Sequence, residues 1–398
     1  MQEVLGFVLS FIIKYKFVFL FYLLIIAFLI YNRKKLVVQA KIIFLYRMKW
    51  GLTWMDKYAE KFREWIILIG YIGVGAGYVG LFYISYVLIK NLYSMILKPT
   101  AVSGVSFVFP GVNVPGMGIL PFWYWLLAVF TIALVHEFSH GIVARAHRIS
   151  VKNTGIAFFG PVLGAFVEPD EKKLREAKDI TQYSILAAGS FSNILLAIVA
   201  ILLLNLAFVP LQATMVEPTG FTFDTYVDET LPFAKAGIIP GTLITGINNE
   251  PITDFQEFDE ELSFRHPGER ITVRTPNEDY SIILTESPDN PKKSFLGIKD
   301  IHNKVEIKDQ FESRWWNIIY VVLTWSSGFF RWLFLLSLGI GLFNLLPLPI
   351  VDGGRMAQVF LHKLKGPEEG ERRYRQVSAF FLLVLVLNLI FPFLIKLF

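Results

Sequence analysis

The chain has 398 residues, 54% of them hydrophobic and 18% charged, with a mean hydropathy of +0.51 and a formal net charge of +5. These values lie outside the range of soluble globular domains and point to a multi-pass membrane protein in a lipid bilayer. The absence of cysteine excludes disulfides, thiolate metal sites and cysteine nucleophiles, and basic loops at a cytoplasmic membrane face explain the positive charge without a nucleic-acid partner.

Residues 17–31 form a continuous apolar run, extended back through 4–13 with only Lys14 and Lys16 interrupting, and read as a first membrane helix. The run ends in Asn32-Arg33-Lys34-Lys35 instead of small residues before a cleavage site, so no cleavable signal peptide is expected. Residues 32–65 hold nine Lys or Arg, which places them in the cytoplasm, with Trp50, Trp54 and Trp65 suited to the interface. Residues 66–89 read as a second span. Its Gly73 and Gly77 form a GxxxG pair, expected to serve packing within this chain more than dimerisation. Residues 90–121 carry only two basic residues and are expected outside.

Residues 122–146 read as the third span, running from outside to inside, and they carry the most informative chemistry in the chain. His136 and His140 are four apart, so on a helix they stack on one face about 6 Å along the axis, close enough to hold one metal ion. Glu137 sits beside the first histidine, where a carboxylate could activate a metal-bound water. HExxH on a helix is the zinc-peptidase signature. Residues 154–167, TGIAFFGPVLGAFV, are apolar, too short for a span and broken by Gly and Pro. They read as a re-entrant β-hairpin beside the site, whose edge could pair with an extended peptide.

Residues 183–210 read as the fourth span, carrying Gly189, Ser190, Ser192 and Asn193. Residues 211–305 return to a charged, alternating composition and read as a soluble α/β insert, with strands at 242–247, 271–273 and 280–284 and a short helix at 255–262. The apolar stretch 311–346 is too long for one span and has Arg331 near its middle, so it divides into a surface segment at 315–330 and a fifth span at 332–346. Pro347 and Pro349 stop that run, Asp352-Gly353-Gly354 follow, and residues 362–375 hold five Lys or Arg. Residues 380–398 are the sixth span. This assignment puts every basic loop on one side.

A catalytic zinc needs three protein ligands and one open position. His136 and His140 supply two. His147, His266, His302 and His362 lie in loops or in the insert, which leaves Asp352 as the candidate third ligand, at the same expected depth. An ionised Asp near a membrane is costly unless paired, and a divalent metal pairs it. Glu137 would take the water proton and return it to the leaving amine, and Asn193 and Asn344 are uncharged donors for the oxyanion or the peptide backbone.

With these residues in hand, the chain resembles the site-2 protease family of intramembrane zinc metalloproteases. The resemblance rests on HEFSHG at 136–141, AGSFSN at 188–193, FNLLPLPIVDGGR at 343–355 and FVEPDE at 166–171; LPFAKAGIIPGTLITGINNEPI at 231–252 resembles a PDZ domain. FVEPDE and the two spans before the HExxH span resemble the archaeal branch. The resemblance implies a polytopic α-helical membrane protein of about six transmembrane helices, with a re-entrant β-hairpin and an inserted soluble α/β PDZ-like domain. It implies one zinc ion at His136, His140 and Asp352, with Glu137 as base and Asn344 in substrate handling. It also implies regulated cleavage of transmembrane protein substrates after another protease has trimmed them.

The expected organisation is two N-terminal helices and a basic loop at 1–98, a catalytic core at 99–210 and 306–398, and the PDZ-like domain at 211–305. The active site is expected towards the cytoplasmic side of the cell membrane and the insert outside. The insert lacks an obvious Gly-Leu-Gly-Phe carboxylate loop, which favours a size filter over binding of peptide termini. A CAAX-type membrane peptidase would draw a third ligand from a downstream Glu or His, and no suitable Glu occurs on a later span. A transporter would show internal repeats, and a non-catalytic scaffold would have lost Glu137.

Overall fold

The structure, a computed structural model, describes residues 15–39, 43–97, 108–114, 117–159, 162–288 and 290–395. Among the described residues five helices are long and apolar enough to cross a membrane: Arg63–Leu97, Phe122–Ala146, Asp179–Met215, Arg314–Phe343 and Pro367–Phe391. The sequence suggested about six. The difference is α1 (Lys16–Tyr31), a shorter apolar helix. Its 16 residues reach about 24 Å, less than the roughly 30 Å hydrocarbon core. The proposed extension through 4–13 lies outside the described residues.

The described residues of 32–65 hold more regular structure than the loop read from their charge. They contain β1 (Leu36–Gln39), β2 (Ile43–Met48) and helix α2 (Leu52–Lys61). After α3 (Arg63–Leu97) and α4 (Phe122–Ala146) comes the expected hairpin, β3 (Val151–Phe159) and β4 (Val162–Pro169). The four strands form one antiparallel sheet in the order β1-β2-β3-β4, leaving β4 at an edge, where it packs along α4. Arg47 of β2 grips Glu168 of β4 through Nε (3.0 Å) and Nη2 (2.7 Å), and Asn153 of β3 donates to the same carboxylate (2.9 Å). One carboxylate therefore ties three strands, which fixes the register of the strand lying against α4.

A short helix, α5 (Glu171–Glu176), is capped by the Asp170 carboxylate and leads into α6 (Asp179–Leu203). The glycines of α3 let it approach closely. A Cβ at Gly73 would stand 3.1 Å from the Phe191 ring of α6, and one at Gly77 would stand 3.2 Å from Ala187 of α6. The GxxxG pair is therefore used for packing inside this chain, as its spacing suggested.

The chain divides into two compact units, residues 1–204 with 328–398, and residues 205–327. The second unit is built on a long antiparallel ribbon of β5 (Val216–Tyr226) and β8 (Ile298–Ile307), with helix α7 (Phe255–Ser263) and the pair β6 (Arg270–Arg274) and β7 (Asp279–Ile283). Its core is formed by Phe221, Phe223, Phe233, Ile244 and Phe258, all fully buried. The short helix and two of the strands lie where alternation placed them. The ribbon was not anticipated: Pro218 and Gly220 interrupt its pattern, and its two strands are far apart in sequence.

The stretch expected to break at Arg331 is instead one helix, α8 (Arg314–Phe343). Arg331 is exposed on it, next to the buried Trp332. Breaking a helix at membrane depth would orphan several backbone hydrogen bonds, whereas an arginine can carry its guanidinium outward along its apolar stem. Beyond the two prolines come α9 (Asp352–Lys365) and α10 (Pro367–Ile395). Gly353 and Gly354 sit directly against the carbonyls of Leu345 and Leu348, where a Cβ would collide with backbone. The Asp-Gly-Gly sequence thus allows α9 to start hard against the end of the preceding segment, with Asp352 as its first residue.

Candidate metal centre

His136, Glu137 and His140 lie on α4, and Asp352 opens α9. The Nε2 atoms of the two histidines are 3.1 Å apart, and Oδ2 of Asp352 lies 3.1 Å from the first and 3.3 Å from the second. Among the described residues these three form the one cluster of His, Asp and Glu able to hold a metal. Four ligands at roughly 2.0–2.1 Å in a tetrahedron are separated by roughly 3.3 Å, so a face of that tetrahedron matches the observed triangle. Two histidine lone pairs and a carboxylate converging so closely repel one another unless a cation or shared protons lie between them. The residues present therefore fit a tetrahedral divalent metal with one position left for water or substrate.

Helix α6 shapes the other side of the triangle. A Cβ at Gly189 would fall against Nε2 of both His136 and His140. The missing side chain keeps open the space into which both donor atoms point. Gly189→Ala is accordingly expected to abolish metal binding while α6 itself persists, alanine being the better helix former. Elemental analysis of the purified variant checks this; a full complement of metal would contradict it.

The other ring nitrogens are also engaged by α6. Nδ1 of His140 lies 2.6 Å from the carbonyl oxygen of Ile185, and Nδ1 of His136 lies 3.1 Å from the amide of Asn193. Ser190 Oγ approaches Asp352 Oδ2 at 3.5 Å. Glu137 stands outside the triangle, and its Oε2 accepts a hydrogen bond from the Val167 N–H of β4 at 3.0 Å.

The structure thus brings His136, His140 and Asp352 together and sets Glu137 beside the β4 edge. Asn193 is fully buried against His136. Asn344 is half-buried at the end of α8, tied to α9 through its own carbonyl, which accepts from Gly353 N–H (2.8 Å). Four groups at the centre were given no role from sequence. Ser190 and Gly189 lie within AGSFSN and had a signal there. The Ile185 carbonyl and the Val167 N–H are backbone groups, which a sequence does not mark.

The family model described as peptidase family M50 matches residues 124–387. An uncharacterized protein of Methanocaldococcus jannaschii is 27% identical over 83% of this chain and 80% of its own length. Two proteins provisionally named zinc metalloproteases are each 24% identical. The one from Rhizobium meliloti covers 63% of this chain and 88% of its own length, and the one from Nostoc covers 58% and 84%. Among solved structures, the PDZ domain of an SdrC-like protein from Listeria monocytogenes aligns with 20% of this chain and 86% of its own length, at 22% identity and a TM-score of 0.18.

Proposed function

The chain belongs to peptidase family M50, the site-2 protease family of membrane zinc metalloproteases, and on that premise we propose that it hydrolyses peptide bonds within or beside the membrane-spanning segments of other membrane proteins. The observation that carries this reading is the convergence of His136 and His140, on a helix long and apolar enough to cross a bilayer, with Asp352 at the start of α9, and with Glu137 beside them. Zinc, when bound by these three residues, supplies a Lewis acid for the scissile carbonyl and the attacking water.

The remaining steps belong to the chain. Glu137 takes the proton of the attacking water on a carboxylate oxygen and hands it to the leaving amine nitrogen. The Val167 N–H holds that carboxylate from the side, so its orientation is set before substrate arrives. Asn344 contacts the oxyanion or the neighbouring peptide backbone. Asn193, engaged with His136 and fully buried, is better placed to act on that ring than on substrate.

A helical substrate closes its backbone to attack and must be extended locally. The β4 edge supports such a role: it is the last strand of its sheet, it runs along α4, and one of its N–H groups already reaches Glu137. An extended segment paired there would pass the catalytic carboxylate. We place the centre towards the cytoplasmic face and the insert outside, on the strength of the basic residues at 32–65 and 362–375. Substrates first trimmed by another protease fit a site reached through the membrane.

The test is the position of the cut. Purified protein in lipid vesicles is incubated with single-span membrane proteins, and the products are mapped by mass spectrometry. Zinc-dependent cleavage inside or bordering the apolar segment is expected. Cleavage confined to soluble flanks would overturn the intramembrane reading while leaving the metalloprotease intact.

A further inference from the structure

Helix α6 offers no ligand to the metal, yet it touches all three residues that do. Ile185, Gly189 and Asn193 are spaced four apart and so share one face. Along that face the Ile185 carbonyl meets His140, Gly189 leaves room for the metal, and Asn193 meets His136. A histidine that binds metal through Nε2 must carry its proton on Nδ1. For His140 the Nδ1 proton is settled by chemistry: a carbonyl oxygen only accepts, so at 2.6 Å from Ile185 the Nδ1 atom donates, and in the neutral ring Nε2 then keeps its lone pair.

His136 needs the same tautomer, and its Nδ1 meets the Asn193 amide. That amide has Nδ2 towards the ring at 3.1 Å and Oδ1 buried with no hydrogen-bond partner among the described residues. The two ends of an amide have the same shape, and which end is oxygen is decided by the hydrogen-bond network. With Nδ2 towards the ring, His136 must keep its proton on Nε2, inside the metal triangle. With the amide turned over, Oδ1 accepts from Nδ1–H and Nε2 is freed for metal.

We propose that Asn193 is a positioning residue whose Oδ1 accepts from His136 Nδ1–H and so holds that ring in the metal-binding tautomer. This rests on the zinc-ligand reading above. Asn193 is itself held from α8. The Ser337 hydroxyl donates to its carbonyl at 2.8 Å, and Gly341 has no side chain to displace it, a Cβ there standing 3.1 Å from the Asn193 Cβ. Loss of such an outer partner typically costs roughly 10–100-fold in metal affinity.

Zinc affinity of the purified full-length protein is measured by competition with a chelator. Asn193→Leu, close to asparagine in shape but without an acceptor, is expected to weaken zinc by roughly 10–100-fold. Asn193→Asp, which can only accept when ionised, is expected to bind zinc at least as tightly as wild type. A residue with a merely structural role would lower thermal stability in both variants without this opposite ordering of affinities. If Asn193→Leu does not fold, Asn193→Asp decides alone, and weaker zinc in that variant overturns the inference. His136→Ala serves as the control. Wild-type affinity in Asn193→Leu with zinc lost in His136→Ala overturns the role of Asn193 and leaves the ligand reading standing. Zinc retained in His136→Ala overturns the ligand reading itself.

Discussion

Glu137→Gln is expected to lower the rate of peptide hydrolysis by roughly 10²–10⁴-fold, about 3–5 kcal/mol of barrier, with zinc bound at the wild-type ratio. The separation of the two effects follows from where Glu137 sits. It belongs to the same helical turn as His136 but not to the triangle of donor atoms, and its carboxylate is held by the Val167 N–H of β4. Glutamine has the same length, and its amide oxygen can still accept that hydrogen bond, so the α4–β4 contact should survive. What glutamine lacks is a group that takes a proton from water and returns it to the leaving nitrogen. Single-turnover rates measured beside zinc content read the two separately. Hydrolysis at the wild-type rate would remove Glu137 from the mechanism. Loss of zinc together with activity would show instead that the side chain supports the metal site.

How much of this could be seen in advance depended on how local each signal was. The HExxH helix is found at the bounds its apolar run suggested, Phe122–Ala146, because span length and histidine spacing are properties of a single helix. A hairpin was legible at 154–167 from a short apolar stretch broken by Gly and Pro, and the paired strands extend it to 151–159 and 162–169. Strands β1 and β2 were hidden by the lysines and arginines around them. β1 pairs with β2 and β2 with β3, and β3 lies beyond three intervening helices. The β5–β8 ribbon was missed for the same reason. Arg331 misled in the opposite direction. The cost of a charge in a membrane was given more weight than the cost of breaking a helix, and α8 shows the reverse ordering.

The site itself divides along the same line. The side chains that meet there, His136, His140 and Asp352 with Glu137 beside them, were legible, since few residue types can hold a metal. Its orientation was not. The proton on His140 is set by the Ile185 carbonyl, and the carboxylate of Glu137 is set by the Val167 amide. Every residue carries these backbone groups, so only the packing of α6 and β4 against α4 selects which of them act. Gly189, Gly353 and Gly354 are intermediate cases. They are visible as glycines, but only the structure shows that one opens the metal space and two let Asp352 reach it.

Asp352→Ala is expected to lose zinc under conditions where Asn193→Leu still holds part of it, because a ligand counts for more than the partner of a ligand. Outer partners cost roughly 10–100-fold, and removal of one of three protein donors should exceed that range. The loss should also appear in stability. Asp352 opens α9 while the two histidines lie on α4, so a metal shared by all three links segments that are far apart in the chain. Anything that binds the folded state alone stabilises it, by about 2.7 kcal/mol at a hundredfold excess over the dissociation constant. A chelator should therefore lower the unfolding temperature of the wild-type protein. The same chelator should leave Asp352→Ala unmoved, since that variant has no bound metal to lose. Asp352→Asn sharpens the test: it preserves the shape of the side chain, removes the charge that balances the cation, and should resemble Asp352→Ala in both measurements. If Asp352→Ala keeps stoichiometric zinc and still responds to chelator, the third ligand is another residue, and the convergence of α4 and α9 has some other cause.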